Sequence, residues 1–189
     1  MISVKTERSN RVSQGDIYKD VEWIEHTTEH DGALEISKIK FPLVIVLTQD
    51  CDLAQDSKFR WEEPQKDNHD KFVLSVLVAP IYNAEHVFQG THLSELNLTM
   101  GQINKGKTQG NYLITNQNPR YHYLEFPEEL SLVPSVIDFK HYFSVDVESL
   151  RKLKEQNFVC AVSELFREDI SQRFASFLSR IGLPEIKRL

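Results

Sequence analysis

Residues 43–47, Leu-Val-Ile-Val-Leu, are apolar at every position, which no half-exposed strand tolerates. A strand points successive side chains to opposite faces, so this run requires cover on both sides and marks a central strand within a layered body. Pro42 precedes the run, and Thr48-Gln49-Asp50-Cys51-Asp52 ends it abruptly. A second run of the same kind, Phe72 to Tyr82, is β-branched and apolar, with Pro80 expected to interrupt it.

Around these two strands the pattern is mostly β. Gly15 to Glu25 places Ile17, Val21 and Trp23 among polar residues, as a strand that frays into a bend. Residues 26–38 contain the turn pair Asp31-Gly32, the signal of a hairpin or a mobile loop. Residues 55–70 are polar and charged with one proline, so a surface loop is expected there. Arg120 to Phe126 alternates aromatic and polar residues, and strands are also expected in Leu130–Phe139 and His141–Val147. Glu148–Gln156 reads as a short helix.

Residues of about 83–118 differ from their surroundings. Leu93, Leu96, Met100 and Ile103 have mixed helical spacing, and Gly90, Gly101 and Gly106 cut the stretch into short pieces, so an insertion of short helices and loop is expected. The clearest helix comes last. Leu165, Phe166, Ile170, Phe174, Phe177, Leu178 and Ile181 recur at spacings of three and four and define one apolar face. Ser163 is placed to cap it, Glu164, Glu168 and Asp169 lie early and Arg180 late to suit the dipole, and Gly182 with Pro184 supplies a stop. The expected fold is therefore mainly β (α+β): a single domain over residues 1–189, built as a small barrel with a helical insertion and a C-terminal amphipathic helix.

Charge and composition narrow the function. The net charge of −6 argues against generic phosphate binding, so contact with nucleic acid needs a local patch. Three stretches set cations beside aromatics and amides: Lys105 and Lys107, Arg120 with Tyr121 and His122, and Lys140 with His141. Each also reads as an ordinary polar loop or strand edge. No apolar run approaches the roughly 20 residues of a membrane span, and the N-terminal residues have no apolar signal core, so a cytoplasmic protein without membrane contact is expected. Cys51 and Cys160 are too few for a disulfide framework or, alone, for a structural zinc site.

Asp50-Cys51-Asp52 admits several readings. If the strand continues, Asp50 and Asp52 share one face and Cys51 takes the other. Cys51 as a nucleophile needs a base such as His122 or His141, and a metal site would need a distant histidine, with no His-x-His or Cys-x-x-Cys spacing in support. A carboxylate pair can also handle a proton or orient a cation. In the plainest reading Cys51 packs as a small apolar residue and the aspartates cap a turn. His26, His30, His69, His86 and His92 share no spacing and read as solvated, and Cys160 reads as core. Tyr82, Trp23 and Trp61 fill space as readily as they stack on a base.

In order along the chain, Gln-Gly-Asp-Ile-Tyr at 14–18, Phe-Pro-Leu-Val-Ile-Val-Leu-Thr at 41–48, the Val-Leu-Val-Ala-Pro-Ile-Tyr strand at 76–82, and the Ser-Val strand running to Val-Asp-Val-Glu-Ser-Leu at 135–150 resemble the successive strands of the MazF/PemK family. The resemblance implies an SH3-like barrel, the fold of bacterial plasmid-maintenance toxins that cut RNA without metal or other cofactor. It further implies a homodimer and a cognate antitoxin-like protein as partner. In that family an arginine before the proline and a threonine after Ala-Pro-Ile belong to the cleavage site; here Phe41 and Tyr82 stand in those places. Phe41 can neither move a proton nor neutralise a phosphorane. An endoribonuclease built on this chain thus needs substitutes, and Asp52, Arg120, His122, Lys140 and His141 have suitable chemistry. Tyr82, Lys105, Lys107 and Tyr121 are the candidate RNA contacts. The other expectation is a catalytically silent binding module of a bacterial defence or plasmid-maintenance locus.

Overall fold

The two faces of the Leu43–Leu47 run divide the molecule's interior. In the computed structural model, which describes residues 1–180, Ile45 and Leu47 enter one apolar core while Val44 and Val46 enter another, and all four are buried. The strand carrying them, β3 (Ala33–Val46), lies between β2 (Asp16–His30) and β4 (Ser75–Asn83). With β1 (Val4–Lys5), β5 (Tyr121–Leu124), β6 (Ser135–Asp138), β7 (Phe143–Asp146) and β8 (Phe158–Val162) they form an antiparallel sheet in the order β1-β8-β2-β3-β4-β6-β5, with β7 on β4. The sheet curls into a half-barrel, and the fold is mixed α+β with strands predominating.

Helices close the two faces. The first core is covered by α5 (Glu164–Leu178) through Ile170, Phe174 and Phe177. The second is covered by Leu53 of α1 (Asp50–Ser57) and by Val147 and Leu150 of α4 (Val147–Asn157). The expected insertion contains α2 (Ala84–Gln89), a 3-10 turn at Ser94–Leu96 and α3 (Thr108–Ile114), with a small core of its own around Val87, Leu113 and Val136.

Several local expectations are corrected. The β2 strand does not fray at Glu25; it absorbs one extra residue as a bulge and runs to a turn at Asp31-Gly32, where both residues have positive φ. Pro80 does not interrupt β4. It sits where the strand's second neighbour changes, with β7 paired through Val78 and β6 from Ile81, so its missing N–H falls at a break in the ladder. The strand at Leu43 ends at Val46, so Asp50-Cys51-Asp52 is the first turn of a helix rather than a strand end. That helix and a π-turn at Lys58–Glu62 occupy the start of the expected polar loop. Its remainder is tied down by Asp56, which is buried, binds Arg60 at 2.7 Å and accepts the Val73 N–H at 2.8 Å. Near α5, Ser163 occupies the N-cap position without a side-chain capping bond, and Leu165 and Leu178 of the expected apolar face are exposed. Ile181, Gly182 and Pro184 lie outside the described residues.

The outer edge of β5 is sealed by side chains. Asn116, itself at positive φ, accepts the Tyr123 N–H at 2.5 Å and donates to its carbonyl at 3.2 Å. Arg173 of α5 donates to the carbonyls of Asn118 and Tyr121, both at 2.9 Å. Unpaired strand groups that would template another chain are thereby occupied.

Candidate functional site

β6 ends in Asp138, and the chain turns at once through a 3-10 turn, Phe139–His141, whose Lys140 N–H the Asp138 carboxylate accepts at 3.0 Å. This cap aims His141 back at the same carboxylate, with Nδ1 2.9 Å from Oδ2. On the neighbouring strand Tyr121 pairs with Asp138, so Arg120 arrives from the other side. Its Nε reaches Oδ1 at 2.9 Å and its terminal nitrogen reaches Oδ2 at 2.6 Å. Asp138 is fully buried while Arg120 and His141 stay partly open to solvent. Burial alone would raise this carboxyl's pKa, but the bonds from Arg120 and the nearby His141 outweigh it and hold the group down at about 2.

Aromatic and imidazole rings surround the cluster. The Tyr82 ring meets His141 edge-on at 6.4 Å and His92 at 5.0 Å, and Arg120 lies 4.8 Å from the centre of the Tyr121 ring. The Tyr82 hydroxyl is buried without a hydrogen-bond partner among the described residues. Burial, reinforced by Asp138, raises the pKa of Tyr82 and of Tyr121, the latter to about 12. Burial lowers that of His92. A cleft of ≈ 350 Å³ opens beside them, walled by Phe41, Leu43, Tyr82, His92, Leu93 and Leu96. Phe41 and Tyr82, the two positions where the family resemblance expects catalytic groups, therefore face one cavity. Phe41 is held there by a stacked contact with Phe143 at 4.8 Å.

Of the residues picked out in the sequence, the side chains of Arg120 and His141 come together at Asp138, Lys140 reaches it only through its backbone N–H, and Tyr82 and Tyr121 adjoin them. His122 does not. Strand alternation turns it to the opposite face, where it is 1% exposed against Phe139, with Nδ1 4.0 Å from Asp169 of α5. Burial, with Arg173 nearby, lowers its pKa to about 3, so it is neutral at pH 7. Asp52 is exposed on α1, and among the described residues its carboxylate accepts only from the Cys51 thiol, at 3.6 Å. Lys105 is paired with Glu85 and Lys107 precedes α3 as an exposed residue, so both belong to the insertion. His92, expected to be solvated, is half-buried against Tyr82.

The Asp50-Cys51-Asp52 cluster resolves into an anchor. Arg11 grips both Asp50 oxygens at 3.0 and 2.8 Å, Gln14 N–H adds a bond at 3.2 Å, and Arg167 of α5 approaches to 3.6 Å. Burial opposes the charge, yet the Arg11 bonds keep the Asp50 pKa below its ordinary value. Asp50 thus clamps the start of α1 to the N-terminal segment and to α5, while Cys51 remains exposed beside Gln49. No group of three or more His, Cys, Asp or Glu side chains suited to a metal occurs among the described residues.

Asp138 is the residue that sequence reasoning missed. Its signal was an acid closing the otherwise apolar Ser-Val-Ile strand directly before Phe-Lys-His. No protein-family model matches the chain, and no curated protein matches it.

Proposed function

We propose that the chain is a MazF/PemK-like, SH3-like barrel that binds RNA and acts as an endoribonuclease whose site has moved from the Phe41 position to His141, Asp138 and Arg120. The observation that carries this reading is the single buried carboxylate holding both a histidine and an arginine beside Tyr82. The Asp138 carboxylate stands 2.9 Å from Nδ1, out of line for a hydrogen bond, and holds the ring by proximity with Nε2 left to exchange protons. His141 would take the 2′-hydroxyl proton as that oxygen attacks phosphorus; the bond from phosphorus to the 5′-oxygen then breaks, leaving a 2′,3′-cyclic phosphate, and the departing 5′-oxygen takes its proton from water or from the protonated His141. Lys140, exposed in the same turn, supplies the cation against the phosphorane charge. Arg120 has both arms on Asp138 and is a positioning residue.

The test is incubation of the purified protein with a long RNA free of metal. Cleavage that His141→Ala abolishes supports the reading, as does growth arrest on expression relieved by an antitoxin-like neighbour. Intact RNA together with normal growth overturns it. That result favours a second reading, a silent binding module, for which the buried Phe41–Phe143 stack and the full commitment of Arg120 to Asp138 already speak.

A further inference from the structure

The cleft beside Phe41 carries polar groups that the chain itself leaves unpaired. The Tyr82 hydroxyl and both ring nitrogens of His92 are buried without a hydrogen-bond partner among the described residues, and both side chains wall the cleft. Tyr82 is 8% exposed, and its ring lies 5.0 Å from that of His92. Buried polar groups are nearly always paired, so an adjoining phenol and imidazole without partners point to a group from outside the chain. A phenylalanine would fill the place of Tyr82 equally well; packing does not account for the hydroxyl. β4 supplies Tyr82, and the insertion supplies His92, Leu93 and Leu96 as further walls. The cavity's ≈ 350 Å³ lies in the usual range of small-molecule sites, about 300–1,000 Å³.

We propose that this cleft binds an uncharged planar heterocycle of the nucleobase type, a ring whose edge alternates hydrogen-bond donors and acceptors. Charge excludes most other occupants. The Asp138 carboxylate that disfavours a phenolate at Tyr82 disfavours a ligand anion there equally, and Arg120 is committed to Asp138. A cation gains little, because Arg120 and His141 oppose the pull of Asp138 at His92. Lys40 and Glu95, the basic and acidic residues along the cleft, are exposed and opposite in sign, and Lys40 is paired with Asp20 at 3.0 Å. A hydrocarbon would leave the phenol and the imidazole unpaired. A neutral imidazole offers one donor and one acceptor, and the phenol adds a donor. That set matches a base edge, while Phe41 and Tyr82 supply aromatic surface for its face. A free nucleoside and a base within RNA present the same ring, and recognition of either is independent of cleavage at His141; only RNA as the source rests on the function proposed above.

Titration of the full chain with each of the four ribonucleosides, followed by calorimetry or ligand-observed NMR, is expected to show saturable binding of at least one. Tyr82→Phe should weaken that binding at least tenfold while keeping or raising the melting temperature, since the hydroxyl has no partner within the described chain to lose. A merely structural hydroxyl would lower the melting temperature on removal. His92→Phe should weaken binding similarly, and Leu96→Trp, which fills the cleft, should abolish it with an unchanged circular dichroism spectrum. A 2′-O-methylated oligonucleotide, which its own 2′-oxygen cannot cleave, identifies the source. Competition with the bound nucleoside supports a base within RNA, and saturable nucleoside binding without competition supports a free nucleoside. Both results are compatible with intact RNA in the cleavage test, so failure of the nuclease reading is distinguishable from failure of this one. Absence of binding by all four nucleosides overturns the inference. So does toluene binding as tightly as the nucleoside, or nucleoside binding that Tyr82→Phe and Leu96→Trp both leave unchanged.

Discussion

Asp138 Oδ2 lies 2.9 Å from His141 Nδ1 while the same oxygen accepts a 2.6 Å bond from Arg120, so one buried carboxylate fixes two basic side chains from two different elements. The arrangement depends on the β5–β6 register, which sets Tyr121 opposite Asp138 and leaves Arg120 one residue short of the strand. Asp138→Asn would keep the shape and remove the charge, stranding Arg120. Breaking such a pair costs about 3 kcal/mol, a fall in melting temperature of roughly 6–12 °C for a chain of this size. With its carboxyl at about 2 in the folded state, Asp138 contributes fully above the ordinary carboxyl range, and its contribution is lost as pH falls through that range toward 2. Thermal melts from pH 6 to pH 2 should therefore show a shallower acid loss in Asp138→Asn than in the parent; parallel curves would contradict the assignment.

The parts of the fold that local pattern dictates were legible. Leu43–Leu47 demanded cover on both faces and received it from two cores, and Asp31-Gly32 closed a hairpin through the left-handed backbone that these residue types permit. The helix at Asp50 was not legible, because Asp-Cys-Asp-Leu-Ala-Gln-Asp-Ser offers one deeply buried apolar residue, Leu53, and no repeating stripe. What holds it is long-range: Arg11 on Asp50, and Arg60 with the Val73 amide on Asp56. The site was legible in its cations and not in its carboxylate. His122 and Arg120 are two residues apart yet serve opposite faces, and only the register shows which of the neighbouring charges each one meets.

A second pH dependence belongs to His122, buried between β5 and α5 with Asp169 and Arg173 of that helix as its charged neighbours. Its pKa is about 3 when folded, below the ordinary histidine value near 6.5, so the unfolded chain takes up a proton that the folded chain refuses. Stability is then complete above the ordinary value and declines as pH falls toward 3, by up to about 1.4 kcal/mol per pH unit from this one group. His122→Leu should flatten the decline between pH 6.5 and pH 4, measured by urea denaturation at fixed temperature. An unchanged slope would place the acid sensitivity elsewhere.

Lys154 of α4 and Asp16 of β2 form the most buried ion pair described, at 2.6 Å. The ammonium also donates to Ser9 Oγ at 2.9 Å and to the Arg11 carbonyl, and Asp16 accepts from Ser13 N–H at 2.9 Å and Tyr18 Oη at 3.1 Å. Burial pushes the Asp16 pKa up and the Lys154 pKa down, so each ion depends on its partner to stay charged. Lys154→Met leaves the carboxylate alone and should cost about 3–5 kcal/mol. Lys154→Met combined with Asp16→Asn should recover part of that loss in chemical denaturation, whereas strictly additive losses would mean that the two residues act separately.

Gly90 governs whether the insertion can close onto the barrel. It ends α2 at φ 72°, and a Cβ there would stand 2.2 Å from the Met100 carbonyl oxygen. The same residue's carbonyl accepts the Met100 N–H at 2.9 Å, and Phe88 accepts the Ile103 N–H at 2.9 Å, so the turn and the returning chain are laced together at this point. Gly90→Ala meets both a left-handed backbone, costing about 1–2 kcal/mol, and a backbone clash that no side-chain rotation relieves. The insertion is a small core attached along β4 and β6, so the damage should stay local. Amides of α2 and of the 94–103 segment should exchange with solvent at least tenfold faster, while those of Val44–Val46 keep their protection. Because Leu93 and Leu96 wall the cleft beside Tyr82, the RNA binding proposed above should weaken in this variant before the fold is lost. Uniformly faster exchange across β3 would show instead that insertion and barrel unfold as one unit.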